Sequence, residues 1–546
     1  MNRTKAYTMK RAHMDRRDFL KTGIGALASA GFPILTKATG GCRDTVDFNA
    51  PVSICVQSEG KWRKARDEVS VSNGVVSLKT SRASWVRITW DVQFSGDALV
   101  LGDAWERSYG NLFWRPIGIA GYSPWYFSVR EGGATHCIGV KTGSAALCVW
   151  RIERNSLSLL MDVRCGCLDT LFDGRGLVLA ELVQTSGDGD TWDVIHRFCG
   201  MMCPRPKLPA LPFYGGNDWY AYYSDTSFDR ILDHSRMLAE CSRGLANRPF
   251  HTIDCGWQMC LNYVSGEEYI GGPYRFPNNR FKDMHKLADE MKALGVRPGI
   301  WCRPLKTVEY MPAEAQLRRE REIKYLDPTH PAAREVLDDD IRRFVAWGYE
   351  LIKWDFPVVD MFRRYGSAMT ESVCEGDWAF YDRSHTSAEI SLEYYQSVAR
   401  LAKGVMVNAC NAFSHLTAGV FASSRIGDDT SGHKWDRTVK YGVNTIAFRG
   451  MQHGAMYSAD PDCVGVTPKI PWKRNREWLR LLQYSGMPVV VSVDSRCRTK
   501  EVLDAISEGF GYAAEPHETA KPIDWYDTMT PRRWKTFAGV KEFCWD

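Results

Sequence analysis

The sequence contains no Cys-x-x-Cys pair among its 17 cysteines and no His-Glu-x-x-His segment. Without Cys or His at ligand spacing, neither a structural zinc site nor a zinc hydrolase centre is expected. No apolar run is long enough to span a bilayer as a helix. Internal repeats and low-complexity tracts are not evident, which argues against solenoid and fibrous designs. The body of the chain also lacks an excess of one charge. The formal net charge is +5, but residues 1–42 hold eight Lys and Arg against two Asp, so the remainder sits near −1. A basic face for nucleic acid is therefore not expected.

Aromatic residues are plentiful: 20 Trp, 23 Tyr and 23 Phe. Flat aromatic faces suit sugar rings, but Trp also fills cores, and the count does not choose between the two. Hydrophobic residues make up 44% and charged residues 25%, as in ordinary globular chains. At about 150 residues per domain, 546 residues leave room for two to four domains.

The N-terminus reads Arg16-Arg17-Asp18-Phe19-Leu20-Lys21, followed by an uncharged stretch over 22–36 rich in Gly, Ala and Leu. This resembles a twin-arginine export signal. It predicts a signal over 1–42 and a periplasmic or extracellular protein. Thr39-Gly40-Gly41-Cys42 has the outline of a lipoprotein cleavage site, so a lipid anchor at Cys42 stays open. Gly23-Ile24-Gly25 mimics a dinucleotide fingerprint, but no strand precedes it and no cofactor is expected.

Residues 45–203 show short β-rich runs at 69–78, 84–94, 98–101, 136–142, 145–153, 156–163 and 176–185, separated by Gly, Asp and Ser turns. That pattern predicts an antiparallel β-sandwich. Four prolines between 204 and 212 read as a stiff linker. From there the rhythm changes. Apolar runs at 213–220, 250–257, 296–303, 349–356, 405–411, 423–429, 455–460 and 487–494 alternate with amphipathic patterns at 228–243, 282–294, 331–347, 388–403, 435–449 and 475–484. Alternation of this kind predicts parallel strands with crossover helices, and eight strands fit a (β/α)8 barrel over 210–496. A doubly wound open sheet is the alternative. Residues 497–546 read as a partial or minimal C-terminal β segment, with strands from Trp525 onward.

In such a barrel, chemistry gathers at the C-terminal strand ends. The first predicted strand ends in Asp218 and Trp219, the second in Asp254 and Trp257. The third offers Trp301 and Arg303, and the fourth Lys353, Trp354 and Asp355. The fifth carries Asn408 and Asn411, the sixth Arg425, Asp428 and Asp429, and the seventh Asp460 and Asp462. Lys353 and Asp355 interrupt an apolar strand, and buried charges need partners or a function. Lys353 beside Asp355 is expected to favour an ionised carboxylate, as a nucleophile requires. Adjacent Asp428 and Asp429 are expected to raise one pKa, as a general acid requires. Two carboxylates facing a glycosidic bond suffice for its hydrolysis.

The segments Asn217-Asp218-Trp219, Thr252-Ile253-Asp254-Cys255-Gly256-Trp257-Gln258, Pro298-Gly299-Ile300-Trp301, Ile352-Lys353-Trp354-Asp355, Arg425-x-x-x-Asp429 and Asp460-Pro461-Asp462 together make the barrel half resemble glycoside hydrolase clan D. Within that clan they are similar to the α-galactosidase (melibiase) group of families twenty-seven and thirty-six. The resemblance implies a retaining double displacement with Asp355 as nucleophile and Asp429 as acid/base, Asp428 taking that role in a different alignment. It implies that Asp254 binds the hydroxyls on sugar carbons 4 and 6. Trp219, Trp301, Lys353 and Arg425 match substrate contacts, and Asp218, Trp257, Asn408 and Asp428 are further binding candidates. Asn408-Ala409-Cys410-Asn411 lies where such enzymes distinguish the group on carbon 2, which leaves galactose and N-acetylgalactosamine both open. The implied partner is an oligosaccharide or glycan, with no metal. The sandwich is shorter than usual for family thirty-six and the C-terminal β domain is nearly absent, so the exact family and the oligomeric state stay open. So do a related α-glycosidase, a raffinose-synthase-like galactosyl transferase and a non-catalytic carbohydrate-binding protein.

Overall fold

A computed structural model describes residues 46–259 and 271–546. The export signal and the anchor candidate Cys42 lie outside the described residues.

The N-terminal half is built from two antiparallel sheets of six and seven strands. Trp85–Asp91 shows why these segments are strands: Val86, Ile88 and Trp90 are buried while Trp85, Arg87 and Thr89 are half-buried, a period of two. It pairs with Ser156–Asp162, placing Leu159 opposite Ile88. The two sheets meet through aromatic rings. Phe127 of the seven-stranded sheet contacts Trp150 of the six-stranded one, with centroids 5.7 Å apart.

Three features differ from the sequence reading. Residues 69–78 form a hairpin, Val69–Ser72 and Val75–Lys79, and not one strand. Its turn is Asn73-Gly74, with φ of 51° and 79°. Two positive φ angles match the twist of the flanking strands, and Gly74 has Leu182 O only 2.8 Å from where a Cβ would sit. Strands Ser53–Ser58, Lys61–Lys64 and Tyr126–Glu131 are additional. So is helix Thr191–Met202, which starts on Asp190 accepting from Trp192 N and buries Ile195, Phe198 and Met202.

The second half contains a nine-stranded parallel sheet with helical crossovers, a TIM-like domain. Its strands are β1 (Tyr214–Asn217), β2 (Phe250–Ile253), β3 (Arg297–Cys302), β4 (Leu351–Asp355), β5 (Met406–Cys410), β6 (Ser423–Arg425), β7 (Ser458–Asp460), β8 (Cys463–Val466) and β9 (Val489–Val493). The order across the sheet is β7-β6-β5-β4-β3-β2-β1-β9-β8. β7 falls within the seventh predicted run, 455–460, and β8 is an additional strand. β7 pairs with β6 and β8 pairs with β9, and the break falls at Pro461-Asp462. Pro461 cannot donate to a ladder, and Asp462 adopts φ 76°.

Helices Phe228–Cys241, Met284–Ala293, Pro331–Ala346, Ser387–Ala402 and Trp472–Ser485 stand where the amphipathic patterns place them. A capping box, Thr386 with Glu389, starts the fourth of these. The pattern over 435–449 breaks into Trp435–Arg437, a π-helix Thr438–Val443 and Asn444–Arg449. Residues 497–546 are not only β structure. They begin with helix Lys500–Ala513, which buries Val502, Ile506, Gly509, Phe510 and Ala513 at helical spacing. A three-stranded antiparallel sheet, Lys521–Pro522, Arg533–Thr536 and Gly539–Glu542, follows. Among the described residues, no helix is long and apolar enough to cross a membrane.

Candidate active site

Side chains two apart on a strand share a face, so Lys353 and Asp355 of β4 point the same way. Trp354 points the other way and packs against Tyr394, Tyr395 and Phe421. On the Lys353 side lies a small cavity. Of the sequence candidates, Trp219, Asp254, Trp301, Lys353, Asp355 and Asp429 line it. Asn217, Tyr220, Phe356, Asp462 and Arg107 complete the lining.

Asp355 is buried. Its Oδ2 accepts from Trp301 Nε1 at 3.1 Å and its Oδ1 from Phe356 N at 2.8 Å. Phe356 reaches that position with φ 66°. Lys353 does not pair with Asp355 as expected. Its Nζ lies 2.6 Å from Asp254 Oδ2, an oxygen that also accepts from Asn217 Nδ2 at 2.7 Å. Cys255 N holds Asp254 Oδ1 at 2.8 Å. Burial pushes the Asp355 carboxyl up, and Lys353 and Arg107 pull it only partly back, so it ends above the usual carboxylate value. The predicted preference for ionisation is reversed because burial outweighs the help that Lys353, hydrogen-bonded to Asp254, still gives.

Asp429 is reversed too. Partial burial pushes its carboxyl up, but Arg107, Arg425, Lys353 and Arg437 together bring it down to about 2. Arg107 Nη1 and Arg425 Nη2 each lie 3.2 Å from Asp429 Oδ1. Its neighbour Asp428 is taken up elsewhere, 3.1 Å from Arg107 Nη2 and 3.5 Å from Arg437 Nη2. Three guanidiniums, Arg107, Arg425 and Arg437, contact the doublet, and this overrides the like-charge effect expected from the sequence. The Asp429 side chain remains 39% exposed.

The other candidates stand behind the lining. Asp218 Oδ1 accepts from Asp254 N at 2.7 Å, and burial followed by the Asp254 charge pushes it up to about 7. Asn408 Nδ2 donates to Asp460 Oδ2 at 2.7 Å. Arg425 bridges Asp429 and Asp462, the latter at 3.0 Å. Trp257 is fully buried and donates to Trp301 O at 2.9 Å. It packs against Tyr274 and Phe344, so it supports the end of β3 and is not a wall of the cavity.

Arg107 is the residue that the sequence reading missed. It sits in a loop of the N-terminal half, after strand Leu99–Gly102. Ser108 N donates to Ile426 O and Asp428 N to Ser108 O, both at 2.8 Å, a parallel bridge between this loop and the segment after β6. A Cβ on Gly427 would lie 2.5 Å from Tyr441 O and 2.6 Å from Thr445 Oγ1, so the helical segment packed behind the bridge leaves no room for a side chain there. Fully buried Arg449 fastens the same loop. It ion-pairs with Asp103 at 2.8 Å and donates to Glu106 O at 2.6 Å and Ile426 O at 2.9 Å. Glu106 accepts from Gly366 N at 2.7 Å, from Asn411 Nδ2 and from the Tyr109 hydroxyl. The only sequence signal was a charged pair, Glu106-Arg107, beside Trp105. Tyr220 and Phe356 were also missed, and Tyr220 donates to Asp462 Oδ2 at 2.6 Å.

No family model matches the chain, and no curated protein matches it. Solved structures do. The α-galactosidase TtGalA of Thermus thermophilus, solved with p-nitrophenyl α-D-galactopyranoside, superposes with a TM-score of 0.58 over 90% of this chain and 96% of that one, at 16% identity. The chain has the α-galactosidase fold. The GH36 α-galactosidase AgaA of Geobacillus stearothermophilus gives a TM-score of 0.55 at 13% identity, over 81% of this chain and 65% of its own. The galactosidase domain of the α-galactosidase–sucrose kinase AgaSK gives 0.55 at 14% identity, over 81% and 64%. The α-galactosidase fold thus accounts for both halves of the chain together, since the first match spans 90% of it. Among the described residues no group of three or more His, Cys, Asp or Glu is placed to hold a metal ion.

Proposed function

We propose that the protein is a retaining glycoside hydrolase acting on terminal α-galactosides, with Asp355 as nucleophile and Asp429 as acid/base. The observation that carries this reading is that both carboxylates line one cavity beside the Asp254–Lys353 pair. It is supported by the fold shared with enzymes solved with p-nitrophenyl α-galactoside and stachyose. An Asp355 carboxylate oxygen forms a bond to the anomeric carbon as the bond from that carbon to the leaving oxygen breaks, and Asp429 gives its proton to that oxygen. Water then attacks the glycosyl-enzyme, Asp429 takes the water's proton, and Asp355 is released. Trp301 Nε1 and Phe356 N aim the Asp355 oxygens. Asp254, Lys353 and Asn217 offer acceptors and donors to sugar hydroxyls.

The resting cavity favours the second half of this cycle. Arg107 and Arg425 hold Asp429 ionised, the form that accepts a proton from water. The first half needs the proton in place, so the arriving sugar has to weaken the Asp429–Arg107 contact. The twin-arginine-like leader supports work outside the cytoplasm, which fractionation of the source cells would test.

The deciding experiment offers the mature protein a panel of aryl α-glycosides beside Asp355→Ala with added azide. Release from the α-galactoside, lost in the variant and restored as β-galactosyl azide, is expected. Turnover confined to another sugar would move the substrate and keep the mechanism. Azide giving no β product would remove Asp355 from its role.

A further inference from the structure

The two halves of the chain also meet away from the cavity. After strand Ser156–Asp162, residues 164–167 lie against residues 372–378 of the loop that follows β4. Arg164 Nη2 donates to Ser372 Oγ at 2.9 Å, and Ser372 Oγ donates to Cys374 O at 2.9 Å. Cys167 N donates to Trp378 O at 2.8 Å. A Cβ on Gly166 would lie 2.7 Å from Trp378 O, so the two backbones approach as closely as a glycine allows.

This lacing brings together two cysteines, one from each half. Cys374 Sγ lies 3.0 Å from Gly166 O, the carbonyl joined to Cys167 N, although Gly166 and Cys374 are 208 residues apart in sequence. The Cys167 and Cys374 thiols are in hydrogen-bond contact with each other. Both are free thiols; Cys374 is buried and Cys167 is half-buried, so a reagent in solution meets Cys167 first. The contact with Cys374 holds the Cys167 thiol below its ordinary value against burial, with help from Arg164 and Arg363. The same contact, and burial, push Cys374 up. The pair is divided into an accessible nucleophile and a buried partner, the arrangement that thiol–disulfide exchange uses. The adjacent Cys165 is turned elsewhere, its Sγ donating to Asp382 O at 3.2 Å.

We propose that Cys167 and Cys374 are a redox-active dithiol that closes to a disulfide and fastens the sandwich half to the β4 loop. The oxidant is a small external disulfide such as oxidised glutathione. The Cys167 thiolate attacks one of its sulfurs, the external S–S bond breaks, and the departing thiolate takes up a proton. Cys374 then loses its proton as its sulfur attacks Cys167 Sγ, and a second external thiol leaves. Two protein thiols are oxidised and one external disulfide is reduced to two thiols. The β4 loop also offers Thr370 O to Trp105 Nε1 at 2.8 Å and Gly366 N to Glu106 at 2.7 Å. Closing the disulfide therefore fixes the docking on which Arg107 depends. The proposal takes its oxidising setting from the export reading, since disulfides persist outside the cytoplasm. Its chemistry is tested apart from that setting and apart from glycosidase activity.

The mature protein is reduced with dithiothreitol, equilibrated with oxidised glutathione, alkylated and cut with trypsin. The expected product joins peptide 165–175 to peptide 365–383. Peptide 165–175 carries Cys165 as well as Cys167, so the linkage is expected to survive Cys165→Ser and to vanish in Cys167→Ser. Cys167→Ser changes a half-buried position and spares the buried Cys374, and its melting temperature in dithiothreitol, expected to match that of the reduced unmodified protein, reports that it is folded. The unmodified protein is expected to melt about 5 °C higher oxidised than reduced, because the bond closes a long loop, and Cys167→Ser is expected to show no such difference. Glutathione that stays on Cys167 without giving the linked peptide would overturn the pairing. Linkage that persists in Cys167→Ser would overturn it in favour of Cys165. Equal melting temperatures for the oxidised and reduced forms would overturn the fastening. None of these outcomes bears on the α-galactosidase reading, because neither cysteine lines the cavity.

Discussion

Asp355 takes its two hydrogen bonds from the residue after it and from a Trp on the adjacent strand. Asp429 is gripped by the arginine that ends β6, four residues before it, and by another 322 residues earlier, in the other half of the chain. One carboxylate is placed by the local order of a barrel strand. The other depends on two halves of the molecule fitting together. Their titration differs accordingly: burial dominates at Asp355 and lifts it, while guanidiniums dominate at Asp429 and lower it. A site can thus contain one half that is rigid by construction and another that is conditional on docking.

The largest effect is expected where docking is broken at its anchor. Arg449→Met leaves the Asp103 carboxylate buried without its cation and removes the donors to Glu106 O and Ile426 O. Losing one partner of a buried ion pair costs about 3–5 kcal/mol, read as a fall in unfolding free energy. A loss below about 1 kcal/mol would show that the loop holds without it. Next comes Arg107→Met, which acts most directly on Asp429 and also removes a cation that lowers Asp355. Removing a cation 3.2 Å from Asp429 lets its pKa rise by about 1–2 units. The basic limb of the kcat/KM profile, where Asp429 loses the proton it gives in the first half of the cycle, is expected to move to higher pH, while azide rescue of Asp355→Ala in the same background persists. A limb that stays put would assign the low pKa to Arg425.

The last prediction, with no effect expected at neutral pH, serves as a control away from the cavity. His234 and His251 face each other with ring centroids 4.6 Å apart, both fully buried. Burial drives both pKa values down, His251 to about 3. Above pH 6.5 both are neutral in folded and unfolded chain, so they contribute nothing. Below it the unfolded chain binds protons that the folded one refuses. Stability then falls as pH drops from about 6.5 toward 3, by about 1.4 kcal/mol per pH unit for each histidine. Replacing both with Gln is expected to flatten that part of the stability curve and to leave the catalytic pH profile where it is.

The same division explains what could be read in the sequence. Strand and helix rhythm is a short-range property, so the barrel strands, most crossover helices and the candidates Trp219, Asp254, Trp301, Lys353, Asp355 and Asp429 were legible. Partner choice is long-range. Nothing near Lys353 in sequence says that its ammonium goes to Asp254, and nothing near Asp429 announces Arg107. The break of β7 from β8 was written as Pro461, but its meaning depends on which neighbours each half pairs with. Helix Lys500–Ala513 had a readable period, yet it fell beyond the point where eight strands had already been counted.

The bridge between Ser108 and Gly427 also has a consequence in time. Translation makes the sandwich loop first, and the acid it must grip follows 322 residues later. At roughly 5–20 residues per second, that interval is on the order of 16–64 seconds. Throughout it Arg107 has no Asp429 to hold, so a nascent chain passes Asp355 of β4 before the Arg107–Asp429 contact exists. Catalytic competence therefore arrives late in synthesis, and its onset marks the moment when the first-made half of the chain has found the last third.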